Sequence, residues 1–372
     1  MHVVMTRREA LDVPDGINIF LFSLADALAD AGHRVTLVST TPADRSKLVD
    51  YFSPKTLPST VALSNLREIS YRNALISWVR RGHGVLRSLS PDMVIINGAV
   101  PLSLPGLTCT VSHDIEKRFK HPVLRRAYKR YCYSRSDLIV ATCTEVRSAL
   151  SEELDISPGR IEVIPTCVRL STYRPQPIQR RERAVLHMGT VAYKNPSATI
   201  RAFRHIASQG CRLYLTGKMN DVLERELSTL TEAERRHVEL TGYVSAERLI
   251  DLLGAVRVVS VPSVYHVAVA SPTVIEALAS GTPVVSTSSI SRSVLQDGEN
   301  GLVRDPNDSI GMANAYSLLL DDDITWKRMS QAAASTAQRF NAETVAAMYL
   351  RLAAGKQSEG LSGMKVHRRI TI

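Results

Sequence analysis

Residues 271–287, SPTVIEALASGTPVVST, decide the fold prediction because they contain one complete helix-to-strand unit. Pro272 suits the first turn of a helix, and Gly281 suits the position just past the end of one. The run PVVST that follows is short, apolar and rich in β-branched residues, as expected of a strand buried on both faces. The stretch therefore predicts an α/β fold.

The same alternation of strand and helix runs through the whole chain. It starts with HVVMT, a helix ending at Gly32 and RVTLVST, and a second series starts at AVLHMGT near residue 184. Val-rich strands without polar alternation are typical of a parallel sheet covered on both faces. A chain of 372 residues exceeds what one core supports, so two Rossmann-like domains are predicted. The predicted bounds are 1–170 and 184–340, with a linker at 171–183, a helix at 341–355 that returns to the first domain, and a flexible tail at 356–372.

Composition limits the classes of partner. Hydrophobic residues make up 44% and charged residues 22%, which is typical of a globular protein. The net charge of +10 favours an anionic partner, but aromatic residues at 5% argue against stacking on single-stranded nucleic acid. The five scattered cysteines predict free thiols in a reducing compartment. With no signal-peptide pattern at its start, the chain is expected to be cytoplasmic.

Glu276 is the first candidate site residue. It lies between Ile275 and Ala277 in a helix that must pack on the sheet, where a carboxylate is costly without a partner. One interpretation is that it accepts hydrogen bonds from the ribose hydroxyls of a nucleotide, as acidic residues do in dinucleotide folds. The other is a glutamate facing solvent, and spacing alone leaves both open.

Five segments of the second half, taken in order, resemble one known family. They are HMGTVAYKNP, LYLTGK, VELTGYVSAERLIDLLGAVRVVSVPS, SPTVIEALASGTPVVST and DGENGLV. They resemble the group 1 (family 4) retaining glycosyltransferases of GT-B fold, in which two Rossmann-like domains face each other across a cleft. Weaker similarity in the first half includes AGHRVTLVST, VSHD, SDLIVATCTEV and IEVIP. The resemblance implies that the second domain binds a nucleotide sugar and the first binds the acceptor.

Carried over residue by residue, the resemblance implies a set of site residues. Glu276 would hold the ribose, Lys194 and Lys218 the diphosphate, and Tyr243 with Val244 the base. His113, Lys194 and Glu276 are the predicted catalytic residues, and Gly16 and His113 lie on the acceptor side. The full predicted donor site is Gly189, Thr190, Lys194, Gly217, Lys218, Tyr243, Val244, Ser271, Pro272, Thr273 and Glu276.

Structural interpretations of these residues stay open. Lys194 could be a solvated loop lysine, Lys218 could cap the preceding strand, and Tyr243 with Val244 could be core residues. His113 could pair with Asp114 to cap a helix that begins near Ile115.

The sequence departs from the family pattern in three places. Ala268 stands where the family usually has a first glutamate, Thr190 where a phosphate-binding arginine is common, and residues 166–169 read Thr-Cys-Val-Arg where Asn-Gly-Val-Asp is frequent. The missing glutamate removes an acceptor for the hydroxyls of the donor sugar and leaves the identity of that sugar open. It also motivates an alternative function, a non-catalytic GT-B protein that binds a nucleotide sugar or serves as a partner subunit.

A basic segment between Lys117 and Arg135 is independent of the resemblance. It carries eight cations and no acid, with Phe119, Leu124, Tyr128 and Tyr131 interleaved. Such a segment fits an anionic membrane surface or a phosphorylated lipid, whereas a solvated helix face is the usual meaning of a charge run. The residues predicted to bind lipid are Arg125, Arg126, Lys129 and Arg130.

The sequence thus predicts a retaining glycosyltransferase that moves a sugar from a nucleotide-diphosphate sugar to a lipid-linked or cell-envelope glycan precursor. No metal and no other cofactor is predicted. The expected partners are the nucleotide sugar, the glycan or lipid-linked acceptor and an anionic membrane surface at the inner face. Nucleic acid is not an expected partner, because no nucleic-acid-binding motif is present.

Overall fold

A computed structural model of the chain describes residues 1–66, 71–100, 102, 106–115, 122–265 and 267–363. Side chains at 71, 72, 122 and 357–363 lie outside that description.

The first domain is built on seven parallel strands in the order β3-β2-β1-β4-β5-β6-β7. The strands are β1 (His2–Arg7), β2 (Arg34–Ser39), β3 (Ser59–Ala62), β4 (Met93–Asn97), β5 (Leu107–Ser112), β6 (Leu138–Ala141) and β7 (Ile161–Val163). The helices are α1 (Gly16–Asp30), α2 (Arg45–Phe52), α3 (Tyr71–Ser77), α4 (His83–Leu89), α5 (Pro122–Tyr133) and α6 (Thr144–Leu154). A π-helical turn at Trp78–Gly82 joins α3 to α4.

The second domain has six parallel strands in the order β10-β9-β8-β11-β12-β13. Its strands are β8 (Glu182–Met188), β9 (Arg212–Thr216), β10 (Val238–Gly242), β11 (Val256–Val261), β12 (Val284–Ser286) and β13 (Gly301–Val303). Its helices are α7 (Pro196–Arg204), α8 (Asp221–Ser228), α9 (Glu232–Arg235), α10 (Ala246–Ala255), α11 (Pro272–Ala279), α12 (Ser309–Asp321) and α13 (Asp323–Ala337). Both sheets reverse their strand order beside the first strand, as Rossmann-like sheets do. The predicted fold class is confirmed.

The last helix, α14 (Ala342–Gly363), packs on the first domain. Val345 and Tyr349 lie in the same buried cluster as Phe20, and the rings of Phe20 and Tyr349 are 6.5 Å apart. The Val168 backbone N–H donates to the Phe340 carbonyl at 3.0 Å, and its carbonyl accepts from Ala342 at 3.1 Å. The two chain crossings between the domains therefore run side by side.

Two bounds differ from those expected from the sequence. Strand β8 already begins at Glu182, inside the predicted linker, and short 3-10 turns at Leu170–Thr172 and Ile178–Arg180 occupy part of that linker. Helix α14 continues past residue 355 to Gly363. Residues 364–372 of the predicted tail lie outside the described residues.

All five cysteines are buried and none is in a disulfide. Among the described residues, no helix combines the length and apolar character needed to cross a bilayer.

Candidate active site

Two cavities open into the cleft between the domains, at the carboxyl ends of both sheets. The first lies between α1, α2 and the linker on one side and the loops after β8, β9 and β10 on the other. The second lies between the ends of β1, β4 and β5 and the loop before α11. Five residues line both cavities: Asp15, Gly16, Tyr193, Lys194 and Thr273. Ligand sites in open α/β sheets are expected at this edge.

Glu276 lies on α11, is only 3% exposed, and lines the first cavity. Its Oε1 accepts a hydrogen bond from the Tyr173 hydroxyl at 2.7 Å, whereas its Oε2 is buried without a partner. Burial raises the pKa of the Glu276 carboxyl to about 7, against the Tyr173 hydrogen bond and the Lys194 charge, which lower it. A solvent-facing glutamate is therefore excluded, and a buried acceptor remains available for a ligand.

Lys194 stands where the two cavities join. It ends a 3-10 turn at Ala192–Lys194, and its Nζ donates to Thr273 Oγ1 at 2.9 Å. Burial lowers the pKa of the Lys194 ammonium. Gly189 lies beside Lys194 and has a φ of +90°, a conformation that favours glycine. Lys194 is thus held in the cleft and is not a free surface lysine.

Two helix amino termini meet at the same junction. Gly16 begins α1 and Pro272 begins α11, and a Cβ on Gly16 would come within 3.3 Å of the Pro272 ring. The side chain of Asp15 caps α1 by accepting from Asn18 N at 2.9 Å. Helix amino termini carry partial positive charge and unsatisfied N–H groups, which favour an anion between them.

His187 supports the loop that carries Gly189, although the sequence did not single it out. Its Nε2 faces the Gly189 carbonyl at 2.9 Å and must donate, so Nδ1 accepts from Thr199 Oγ1 at 2.9 Å. Burial lowers the pKa of His187 to about 4, which keeps the ring neutral in this arrangement. In the sequence, this role is indicated by a histidine inside an otherwise apolar strand.

The loops after β8 and β9 are tied together, and this separates Lys218 from the site. Thr190 Oγ1 donates to the Lys218 carbonyl at 2.5 Å, and Gly217, with a φ of +117°, packs on Thr190. Gly217 lines the first cavity, but Lys218 is exposed and lines neither cavity. The Lys218 carbonyl faces the loop and its side chain faces solvent, so its role as a second phosphate cation stays a prediction.

The predicted base-binding pair lies at the far end of the first cavity. Tyr243 is 54% exposed, and its ring centroid is 6.2 Å from that of Tyr51 on α2. Val244 lines the cavity and packs on the buried core. A planar group could lie among the Tyr51, Tyr243 and Val244 side chains.

His113 follows β5 and lines the second cavity. Its Nε2 lies 2.8 Å from Asn97 Oδ1, and the Asn97 amide donates to the Thr6 carbonyl at 3.0 Å. This orientation of the amide makes His113 the donor, so the ring is neutral, and burial lowers its pKa to about 3. The helix predicted to begin near Ile115 falls on residues 116–121, outside the described residues.

The arginines at the end of β1 also belong to the site, although their pattern in the sequence did not single them out. Arg7 Nη2 donates to Asp15 Oδ2 at 2.6 Å, and Arg8 contacts Glu9 at 3.5 Å. Both arginines are buried and line the second cavity with Ser271. Two consecutive arginines at the end of a strand were the signal in the sequence.

Only part of the basic segment is exposed to solvent. Lys129 is 5% exposed and its Nζ lies 3.0 Å from Glu153, which also binds Arg125 at 3.0 Å. The prediction that Lys129 and Arg125 face a membrane is wrong, because packing of α5 on α6 uses both in one ion-pair network. Arg126 and Arg130 are exposed, while Lys117, Arg118, Phe119 and Lys120 lie outside the described residues.

The loop before α11 carries Ala268 at the position of the first family glutamate. The Ala268 carbonyl accepts from the Cys143 thiol at 3.5 Å, so this loop contacts the first domain through its backbone. Among the described residues, no three His, Cys, Asp or Glu side chains form a group that could hold a metal ion. The sequence Asp321–Asp323 has the Asp-x-Asp pattern of some metal sites, but it lies away from the cleft. Its middle residue, Asp322, caps α13.

Fold and cleft together define a two-domain protein of GT-B type. Sequence comparison identifies the family: the profile described as "Glycosyl transferases group 1" matches residues 182–322, and that of "Glycosyltransferase Family 4" matches residues 14–172. The chain belongs to the group 1, family 4 glycosyltransferases, as its motifs predict.

Named relatives are similar over part of their length. D-inositol 3-phosphate glycosyltransferase of Xylanimonas cellulosilytica is 30% identical over 237 residues, which are 58% of this chain and 56% of the relative. The enzyme of the same name from Corynebacterium aurimucosum is 27% identical over the same shares. The match thus spans just over half the length of these relatives.

Solved structures match nearly the whole chain at low identity. Sucrose-phosphate synthase of Thermosynechococcus elongatus superposes with a TM-score of 0.75 at 18% identity, covering 96% of this chain and 99% of that one. Anabaena HepE in complex with UDP-glucose gives 0.72 at 16% identity, covering 96% and 100%. At these identities the likeness shows the fold.

Proposed function

We propose that this protein transfers a sugar from a nucleotide-diphosphate sugar to an acceptor, with retention of anomeric configuration. The junction of the two cavities carries the proposal, because a half-buried lysine and two helix amino termini converge there. Such a cluster of positive charge fits a diphosphate, with the nucleoside extending into the first cavity and the sugar pointing toward the second. HepE, of the same fold, was solved with UDP-glucose.

The nucleoside end of the proposed donor site is Glu276. Its unpartnered Oε2 would accept from a ribose hydroxyl, and the base would lie near Tyr243 and Val244. A bound ribose would therefore satisfy the buried acceptor that the free protein leaves without a hydrogen bond.

The proposed chemistry needs charge stabilisation more than a nucleophile. The bond between the anomeric carbon and the diphosphate oxygen breaks through an oxocarbenium-like state, and Lys194 stabilises the departing charge. The acceptor oxygen attacks on the same face and its proton passes to the leaving diphosphate. Lys194 and the amino termini of α1 and α11 fill the role that a metal ion has elsewhere, so no metal or other cofactor is proposed.

The acceptor is proposed to lie in the second cavity beside His113, Arg7 and Arg8. A lipid-linked or cell-envelope glycan precursor fits the basic first domain. The curated relatives are named for inositol 3-phosphate, so a phosphorylated polyol belongs in the same acceptor panel.

A ligand panel tests the proposed function directly. We expect one class among UDP-, GDP- and ADP-sugars to raise the melting temperature of the purified protein. At a hundred-fold excess over Kd, binding adds about 2.7 kcal/mol to the free energy of unfolding, which thermal shift detects easily. The absence of a shift with all three classes contradicts the proposal.

A turnover assay distinguishes sugar transfer from binding of the nucleotide sugar without transfer. Product formed with the α-linked donor should keep the α configuration, which NMR of the anomeric proton reports. Binding without transfer across the acceptor panel would favour the alternative, a non-catalytic nucleotide-sugar-binding or partner subunit. This alternative is suggested by Ala268 and Thr190, which depart from the family pattern.

Peripheral attachment to an anionic leaflet at the inner face of a membrane is proposed for the exposed side of α5. Val123, Leu124 and Tyr131 are 68%, 63% and 52% exposed, next to the exposed Arg126 and Arg130. Apolar side chains flanked by cations fit the headgroup region of acidic lipids.

We expect the protein to sediment with vesicles of acidic phospholipid at low salt and to be released as salt rises. Replacing both Arg126 and Arg130 by Ser should abolish sedimentation, because each cation near the leaflet contributes about 1 kcal/mol to membrane binding. Replacing Arg225 and Arg235, exposed on the second domain, provides the matched control. Equal sedimentation of the two double variants contradicts the assignment of α5.

A further inference from the structure

The linker residue Tyr173 reaches the donor site, although it belongs to neither sheet. It follows the 3-10 turn at Leu170–Thr172, lines the first cavity, and donates to Glu276 Oε1 at 2.7 Å. The hydrogen bond occupies one carboxylate oxygen and leaves Oε2 as the unpartnered one. The Tyr173 hydroxyl thereby fixes which oxygen of Glu276 a ligand can reach.

We propose that Tyr173 is a positioning residue that orients Glu276 and favours its ionised form for binding the ribose of the donor. The inference rests on the proposed function, since it assumes that Glu276 binds ribose. A carboxylate can accept from both ribose hydroxyls, whereas a protonated carboxyl has lost one acceptor position. Ionisation of Glu276 therefore sets donor affinity.

The surroundings of Glu276 favour control by Tyr173. Burial opposes ionisation, and the two groups that oppose burial are the Tyr173 hydroxyl and the Lys194 ammonium. On the α1 side, Asp26 is paired with Arg169, which lies just before the linker, and is thereby neutralised. Burial and the Glu276 carboxylate raise the pKa of the Tyr173 hydroxyl, which stays a donor through the neutral range.

The linker also connects this hydrogen bond to the first domain. Arg169, four residues before Tyr173, pairs with Asp26 on α1 and donates to the Phe52 carbonyl at 3.2 Å. The short path from α1 through the linker to Glu276 means that the position of Tyr173 depends on how the first domain sits on the linker.

Tyr173→Phe tests the proposal, because phenylalanine keeps the ring and removes the hydroxyl. The midpoint of Glu276 ionisation should rise by about one pH unit, the usual size for a hydrogen bond lost from a charged acceptor. It is measured in the free protein by infrared titration of the carboxylic-acid C=O band, assigned by its disappearance in Glu276→Gln.

Nucleoside diphosphate binding provides the second readout. UDP, GDP and ADP are titrated calorimetrically into wild type and Tyr173→Phe between about pH 6 and pH 9. We expect the nucleotide that binds to be held about five-fold more weakly by the variant at pH 7 and almost equally at pH 9, where both carboxyls are ionised. A merely structural role would weaken binding by the same factor at every pH.

Tyr214→Phe is the matched control. Tyr214 is also buried and donates to a carboxylate, Glu182 Oε2, at 2.8 Å, but it lines neither cavity. This variant should leave the ionisation of Glu276 and nucleotide binding as in wild type. An unchanged midpoint in Tyr173→Phe, or a loss of affinity independent of pH, overturns the proposal. Failure of wild type to bind any of the three nucleotides overturns the proposed function instead, and the infrared titration still reports on Tyr173.

Discussion

Glu276→Gln is expected to lower kcat/KM for the nucleotide sugar by about 10- to 100-fold, the range for one hydrogen bond to a charged acceptor. The glutamine of this variant has nearly the same volume as glutamate and can still accept from Tyr173, so the fold should persist. Initial rates over a range of donor concentrations measure the loss. Unchanged kinetics with an unchanged KM for the donor would show that Glu276 does not contact it.

The same substitution should change how stability depends on pH. The unfolded chain releases the Glu276 proton near its ordinary value of 4.5, whereas the folded protein releases it at about 7. Between these values rising pH favours the unfolded state, so wild type loses up to about 3 kcal/mol that the variant does not lose. Denaturant unfolding at about pH 5 and pH 8 measures the difference. A variant that follows the wild-type dependence would contradict the burial of an ionisable Glu276.

Lys194→Ala is expected to lower kcat by about 100-fold or more, the usual cost of removing one group that stabilises developing charge. The free nucleoside lacks a diphosphate, so its affinity should change little. Single-turnover rates and nucleoside titrations separate the two effects. An equal loss of affinity for nucleoside and nucleotide sugar would indicate that Lys194 only supports the loop.

Lys218→Ala controls for the loss of a loop cation at the same edge of the sheet. Lys218 is exposed and lines neither cavity, so its variant should transfer sugar at close to the wild-type rate. Equal losses of transfer rate in Lys194→Ala and Lys218→Ala would contradict the finding that Lys194 lies in the cleft and Lys218 does not.

The fold could be predicted because its signals are local. Glycines at the ends of helices and Val-rich strands repeat along the chain, and they define two parallel sheets without any long-range information. Glu276 stood out because a carboxylate in an apolar helix is costly wherever the helix packs, but only the family resemblance favoured a role in ribose binding over a solvent-facing side chain.

The rest of the site depends on side-chain directions and on partners distant in sequence. Lys194 and Lys218 both follow strands at the same edge, yet only the loop conformations decide which one enters the cleft. The Tyr173 hydrogen bond spans 103 positions of sequence, and no local pattern encodes it. The lipid contact predicted for Arg125 and Lys129 on α5 had the same weakness, because the sequence does not show that Glu153 on the next helix binds both residues.

Glu276 is proposed to hold the ribose of a nucleotide donor in the first cavity. The most direct measurement is a calorimetric titration of a nucleoside diphosphate and its 2′,3′-dideoxy analogue into wild type and Glu276→Gln. We predict that wild type binds the ribonucleotide at least about ten-fold more tightly than the dideoxy analogue, and that the variant hardly distinguishes them. Equal discrimination by wild type and Glu276→Gln would contradict ribose binding by Glu276.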